Sequence, residues 1–521
     1  MRKEVARVFK DSTVYGLGSL ITKVAVLVLT PIYTTYLTRT DYGILAFVSM
    51  VSSMLGTVFM LGQGGSLILF YRSKSEEAEN RRELLFNVFW FVMLFAGILV
   101  AAMFLLGPKH AAVITGSKGI PFYPFLAMGV LNAYLGLPQA MQQAINRAQG
   151  QSITFVSFQL AGFFTNVGLT IYYVVYRHQA ALGSLKGTLY STIVITPIAL
   201  VIVVRRWRPR FRFGLLWRSL RYGLPLVFHY FSAWVLTFID RYLLLQLSTT
   251  AQVGLYSLAY NLSMVLNLFC SSINQAWAPI FYDLADTPGG REKLPRLTTI
   301  YASAVTAIAI AYTLAAPDAL LILANKRFHA AEPVVPIVAG GYFFFALYMV
   351  VSTPIFYRKK TMWAPVVSGS AAALNIAVNF VLIPRYGMMG AAWATLFAYA
   401  FMFLLTRYLS NRLMPNIYEN RQLAILVGIY AVSLGASMAL VYAHPPLMLD
   451  LLLRTALIPG ILSLLVVFRL ASVNELRSVF KRRGRRPTAA PRVEDREEQE
   501  RRAETIGSLS DDTGFAPDDR A

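Results

Sequence analysis

Cysteine is almost missing from this chain and acid is scarce: one Cys and 26 Asp or Glu stand among 521 residues, against 48 Lys or Arg. Cys270 lies alone in an apolar run, so an intrachain disulfide and a cysteine metal site are both excluded, and the residue reads as packing. The five histidines show no metal-ligand spacing, and no Walker-type phosphate loop is present. No paired carboxylates are read inside the apolar runs, which argues against glycosyltransferase or ligase chemistry and leaves a non-enzyme without a resident cofactor. Charged residues make up only 14%, where a soluble chain carries roughly a quarter. In their place 56% of the sequence is hydrophobic, in apolar runs of about 20 residues recurring from Val14 to Leu470. This is the pattern of an integral membrane protein.

A net charge of +22 would ordinarily suggest nucleic acid, but here it sits in the segments between apolar runs. Lys and Arg concentrate on the side that holds the N-terminus: "RRWRPRFRFGLLWRSLR" (205–221), "YRKK" (357–360) and "KRRGRR" (481–486). That bias is the positive-inside signal, so both termini are expected on the cytoplasmic side and no nucleic-acid partner is implied. The first apolar run, after "MRKEVARVFK", is too long for a secretion signal and reads as a retained helix. Runs of this length must satisfy their backbone internally, so the spans are helical. The expected fold class is all-α with fourteen transmembrane helices; the first covers 12–37, the second 42–70, the fourth 121–146, the seventh 222–247 and the last 449–470. The remainder, 481–521, mixes Arg, Glu, Asp, Ser and Pro without apolar period and is expected to be disordered.

Self-comparison is more informative. "YLTRTDYGILAFVSMVSSML" (36–55) lies over "LSTTAQVGLYSLAYNLSMVL" (247–266) at an offset of 211 residues, and "LGSLKGTL" (182–189) matches "MGAAWATL" (389–396). Asn166 and Asn375 fall in corresponding places. The chain therefore reads as an N-lobe (1–204), a basic loop (205–221), a homologous C-lobe (222–409), two extra helices (410–480) and a tail (481–521). Lobes of six helices keep their orientation, which predicts a pseudo-two-fold along the membrane normal.

"DRYLLLQLSTTAQVGLYSLAYNLS" (240–263) and "ALNIAVNFVLIPRYGMMGAAWATLFAY" (373–399) resemble signatures of the polysaccharide flippases, of the multidrug/oligosaccharidyl-lipid/polysaccharide exporter superfamily. "YLTRTDYGILAFV" (36–48) is similar to the first periplasmic turn of the same family. The resemblance covers about residues 5 to 470. It implies an alternating-access carrier in a bacterial inner membrane, turning over undecaprenyl-diphosphate-linked oligosaccharide from the cytoplasmic to the periplasmic leaflet, with membrane lipids and polysaccharide polymerase or export machinery as partners. A lipid II flippase, a multidrug cation antiporter of the same superfamily, and a non-transporting assembly partner remain alternatives.

Charges deep inside spans are costly in lipid and need a reason. Lys23, in "LITKVAVLVLT", falls near mid-bilayer; Asp240, Arg241 and His229 lie in the seventh span. Lys23, Arg241 and Arg147 are the candidate groups for a diphosphate, Lys as a point charge and Arg as a planar fork. Asp240 and His229 are candidates for coupling to Na+ or H+. Asp240 and Arg241 are adjacent, hence about 100° apart around a helix, and are expected not to pair intimately. Sugar contacts are expected from Gln63, Asn274, Gln275, Gln139 and Gln143, with Trp234 as a stacking surface. Gln139, Gln143 and Arg147 recur every four residues and share a face. Trp277 reads as a stacking surface or part of an interfacial belt, and "LGQGGS" (61–66) as a bend or a close helix approach.

Overall fold

The computed structural model describes residues 29–72, 78–115, 120–360, 362–468 and 470, and among them the chain is helical nearly throughout. The expected disordered tail, 481–521, lies outside the described residues. A helical end at 29–36 leads into α1 (Arg39–Met60), α2 (Gln63–Arg72), α3 (Ala78–Thr115), α4 (Ala127–Leu135), α5 (Leu137–Ala148), α6 (Ser152–Ile171) and α7 (Ala180–Val204). The second half runs α8 (Phe213–Leu247), α9 (Thr250–Asp286), α10 (Leu294–Leu323), α11 (Val334–Tyr357), α12 (Trp363–Tyr386) and α13 (Met388–Leu413), followed by α14 (Asn420–Ala443) and α15 (Leu447–Val467). Twelve helices among the described residues are long and apolar enough to cross a membrane.

The second, fourth and seventh expected spans differ, the second being broken at Leu61 and Gly62 into α1 and α2. The first lies outside the described residues except for its end at 29–36. The fourth is not one helix: Tyr123, ahead of Pro124, takes an extended backbone (φ −93, ψ 133), and Gly136 followed by Pro138 at the start of α5 divides the rest; the residue before proline is pushed out of the helical region. The seventh begins at Phe213, well inside the expected basic loop. Leu216 and Leu220, one turn apart, bury against Leu67 and Leu84 while Trp217 stays exposed, so an amphipathic stripe carries the helix out of the span. The Arg-rich stretch before it is pinned on α3, where Glu83 takes Arg212 at 3.1 Å, Asn87 accepts the Arg212 N–H at 2.8 Å and Glu79 pairs with Arg208.

The matching halves meet in a reciprocal contact. Thr38 and Thr249 both cap a helix, each accepting the N–H three residues on. A Cβ on Gly43 would lie 2.0 Å from the Thr250 carbonyl oxygen, and one on Gly254 would lie 2.1 Å from that of Arg39. Each pair is the other shifted by the repeat offset, which is how a two-fold arranges a contact. Only a residue without a side chain lets α1 and α9 approach this closely. α14 and α15 pack on α10, outside the repeat.

Candidate functional site

Asp240 and Arg241 are both buried, at 1% and 4% exposure. Contrary to the expectation from helix geometry, they pair, with 3.7 Å between Arg241 Nη1 and Asp240 Oδ1. The carboxylate turns back to accept the Arg241 N–H at 2.8 Å, and the long arginine folds one turn down to donate to the Thr237 carbonyl at 2.6 Å. Arg241 also donates to Ser257 Oγ at 3.2 Å and lies 4.2 Å above the Tyr260 ring. Tyr256 donates its hydroxyl to Asp240 Oδ2, and Thr395 Oγ1 stands 3.4 Å from the same oxygen. A charge that would be costly alone is thereby paired and hydrogen-bonded.

The N-terminal half carries a neutral counterpart. Tyr33 bonds Ser184 at 3.1 Å, and Asn166 donates to Thr188 Oγ1 at 3.1 Å and accepts from Thr170 Oγ1 at 3.4 Å. In the repeat Asn166 matches Asn375 and Thr188 matches Thr395, while Asn379 donates to Asn375 at 2.9 Å from one turn on, as Thr170 does to Asn166. The N-terminal group as named holds no charged side chain, whereas the C-terminal one holds the Asp240 and Arg241 pair.

The described sequence candidates stand on several different helices. Lys23 lies outside the described residues, as does the His229 side chain. Arg147 is exposed at the last turn of α5, 5.0 Å over the Phe155 ring, far in the chain from the buried Arg241. Gln139 and Gln143, with Gln159, Asn166, Thr192 and Phe158, line a cleft of about 330 Å³ between α5, α6 and α7; Gln139 donates to Thr196 Oγ1 at 3.0 Å. Gln63 is fully buried and accepts from Ser219 at 2.6 Å, tying α2 to α8. Asn274 is half-buried, Gln275 exposed. Trp234 is buried with its indole N–H unpartnered, stacked at 5.9 Å on Phe231. Trp277 is no interfacial residue: it is fully buried and donates to the Val350 carbonyl at 3.2 Å. The bend expected at "LGQGGS" is present, with Leu61 at φ 45 and Gly62 at φ 71 between α1 and α2.

Sequence reasoning missed a second buried charge cluster. Arg454, at 1% exposure, meets Asp450 at 2.8 Å, Asp318 at 3.3 Å and Glu332 at 3.8 Å. It also donates to the Leu314 carbonyl and to Ser437 Oγ, each at 3.2 Å. Paired carboxylates therefore do occur within the helices. The legible half of the signal was Asp450 and Arg454 one turn apart; Asp318 arrives from α10 and Glu332 from the turn ahead of α11. No group of three or more His, Cys, Asp or Glu among the described residues has metal-holding geometry.

The 326–331 turn adjoins both this cluster and the contact between halves. Arg327 donates to the Leu37 carbonyl at 3.4 Å and the Thr35 carbonyl at 3.2 Å, Arg39 donates to the Arg327 carbonyl, and Asn325 N–H reaches Thr34 Oγ1 at 3.1 Å. Phe328 packs on Tyr42 with ring centroids 5.8 Å apart. Together with the Gly43 and Gly254 crossing, these contacts join residues 34–43 to 250–254 and 325–328.

The sequence profile of the family described as "Polysaccharide biosynthesis protein" matches residues 8–285. Among relatives, "Lsg locus putative protein 1" of Haemophilus influenzae is 23% identical over 282 residues, 53% of this chain and 66% of that protein. The chain thus spans just under two thirds of that relative, and 54% of a second from Methanocaldococcus jannaschii. In fold the chain is similar to a structure titled "Lipid II flippase MurJ, inward closed conformation" (TM-score 0.69, 14% identity, 87% of this chain and 98% of that one). It is also similar to an inward-facing multidrug resistance MATE family transporter of the MOP superfamily (TM-score 0.55, 13% identity, 76% and 99%). The fold is thus similar to the folds of these two membrane proteins.

Proposed function

Because the chain belongs to the polysaccharide biosynthesis protein family, we propose that it is a flippase for lipid-diphosphate-linked oligosaccharide in polysaccharide biosynthesis, carrying the headgroup from the cytoplasmic to the periplasmic leaflet of a bacterial inner membrane. The observation that carries this reading is the conjunction of that family with the fold of a lipid II flippase. The contact formed by the 34–43, 249–254 and 325–328 segments then stands on the periplasmic side, following the positive-inside bias. Lys23, Arg147 and Arg241 are assigned to the diphosphate at different stages of passage, Arg241 becoming available only when its contacts with Asp240 and Ser257 open. Neutral amides and hydroxyls, Gln139 and Gln143 foremost, suit sugar hydroxyls and carry no charge to hold a product back. Asp240, the acid that the N-terminal group lacks, is assigned to coupling with H+ or Na+.

The test is deletion of the gene followed by a leaflet-accessibility assay, with the retained lipid intermediate identified by mass spectrometry. An oligosaccharide linked through a diphosphate to polyprenol, trapped on the cytoplasmic side, is the expected result. Accumulated lipid II would transfer the assignment to peptidoglycan precursors, a reading favoured by the same structural likeness, and the absence of any trapped lipid would overturn the proposal. Lys23→Ala is expected to abolish export with the protein still in the membrane; normal export would remove Lys23 from the mechanism. Asp240→Asn is expected to abolish the response of transport to pH or sodium, and an unchanged response would confine Asp240 to holding Arg241.

A further inference from the structure

The Arg454 cluster is out of electrical balance. Three carboxylates, Asp318, Glu332 and Asp450, surround one guanidinium, and all four side chains are at most 10% exposed. Fully ionised, the group would carry two uncompensated negative charges where solvent cannot screen them, and burial resists that far more than it resists a neutral carboxylic acid. The buried Asp318 Oδ1 and Arg454 Nη2 make no hydrogen bond, so a carboxylic proton has an acceptor waiting. Among the described residues the rest of the surroundings supplies no second cation. Arg327 is exposed and turned to the 35–37 carbonyls, Lys326 is exposed, His329 bonds the Ala324 carbonyl at 3.1 Å, and His444 is exposed at the end of α14. Arg296 and Arg421 lie at the far ends of α10 and α14, as Asp283 and Asp286 do on α9; α11 has no charged side chain, and Asp450 and Arg454 are the only charges on α15.

The four residues come from α10, α15 and the end of the 326–331 turn, and Ser437 of α14 joins them through Arg454. That turn is also the clasp. Glu332 is five residues from Arg327, whose guanidinium and carbonyl hold the 35–39 segment of the other half. We infer that Asp318, Glu332, Asp450 and Arg454 form a proton-binding site that controls the contact between the halves: while Glu332 and Asp318 hold protons the turn stays docked, and their release leaves carboxylates that repel Asp450, loosen α15 from α10 and free the clasp. The inference goes beyond the assignment of cargo and holds whatever is carried.

Glu332, at the edge of the cluster and outside the spans, is the entry point. Burial pushes its carboxyl up to about 7, with Arg454 opposing the rise and Asp450 adding to it. The fold therefore prefers protonated Glu332. Its stabilisation is complete below the unfolded value of 4.5 and is lost as pH climbs through about 7.

The test uses the full chain, with Cys270→Ser and a reporter Thr250→Cys buried in the α1–α9 crossing, and measures labelling by a charged maleimide at pH 5.5 to 8. Rates are divided by those of the same protein unfolded, which removes the thiol's own ionisation. The expected result is a several-fold rise with pH in the parent, a low and flat profile in Glu332→Gln, and fast labelling at every pH in Arg327→Ala. A flat parent profile, or Glu332→Gln tracking the parent, overturns the inference. Asp318→Asn provides a second probe: its midpoint of thermal unfolding should exceed the parent's at pH 8 and match it at pH 5.5, and a lower midpoint at both would also overturn it. Neither readout needs a substrate, so failure here is separate from failure of the cargo assignment.

Discussion

Arg241→Ala strands the Asp240 carboxylate beside Tyr256 and Thr395, with no other cation among the described residues paired to it. Removing one member of a buried pair typically costs about 3–5 kcal/mol, whereas replacing both by groups of similar volume is close to neutral. Arg241→Ala is therefore expected to lose most of its folded protein on mild heating in detergent, and Asp240→Asn with Arg241→Met to recover most of the loss. Additive losses in the double variant would show that the two side chains do not depend on each other. Trp277, with its N–H on the Val350 carbonyl and its ring 4.7 Å from that of Tyr301, is a packing residue; Trp277→Ala is expected to cost about 3–5 kcal/mol in the same melt.

Between elements, the tightest constraint is the crossing of α1 and α9. A side chain at Gly254 would be driven into the Arg39 carbonyl and one at Gly43 into that of Thr250, so the helices must separate before either is accommodated. Gly254→Val is expected to expose Thr250→Cys to the charged maleimide at all pH values and to abolish export, with the protein still inserted; unchanged labelling would mean that the crossing absorbs the methyls by sliding. At the other end, α8 is a 35-residue helix, about 52 Å long, whose first turns pack on α2 and α3 and whose later residues Val235 and Leu236 pack on α12 and α13. It joins the halves mechanically, with Pro225 inside it.

For the molecule as a whole, pH dependence follows from the Arg454 cluster. The raised Glu332 carboxyl favours the folded state at low pH, so the thermal midpoint is expected to fall as pH climbs from about 4.5 to about 7, and Glu332→Gln to reduce that fall. A midpoint constant over this range would remove the cluster from the energetics of the fold.

The sequence by itself determined the solvent and therefore the class. Long apolar runs leave no backbone arrangement but helices in lipid, and a repeat at constant offset carried Thr38 onto Thr249 and Gly43 onto Gly254 before their contact was visible. It also marked Asp240 and Arg241, because a charge within such a run is legible one residue at a time. What tertiary structure alone decided was how charges are shared between helices distant in sequence: that Arg241 folds back onto Asp240, that Gln63 ties α2 to α8, and that Asp318, Glu332 and Asp450 close around Arg454. Hydrophobicity is a sum over neighbours along the chain, whereas compensation of a buried charge depends on distances in space, which the order of residues does not state.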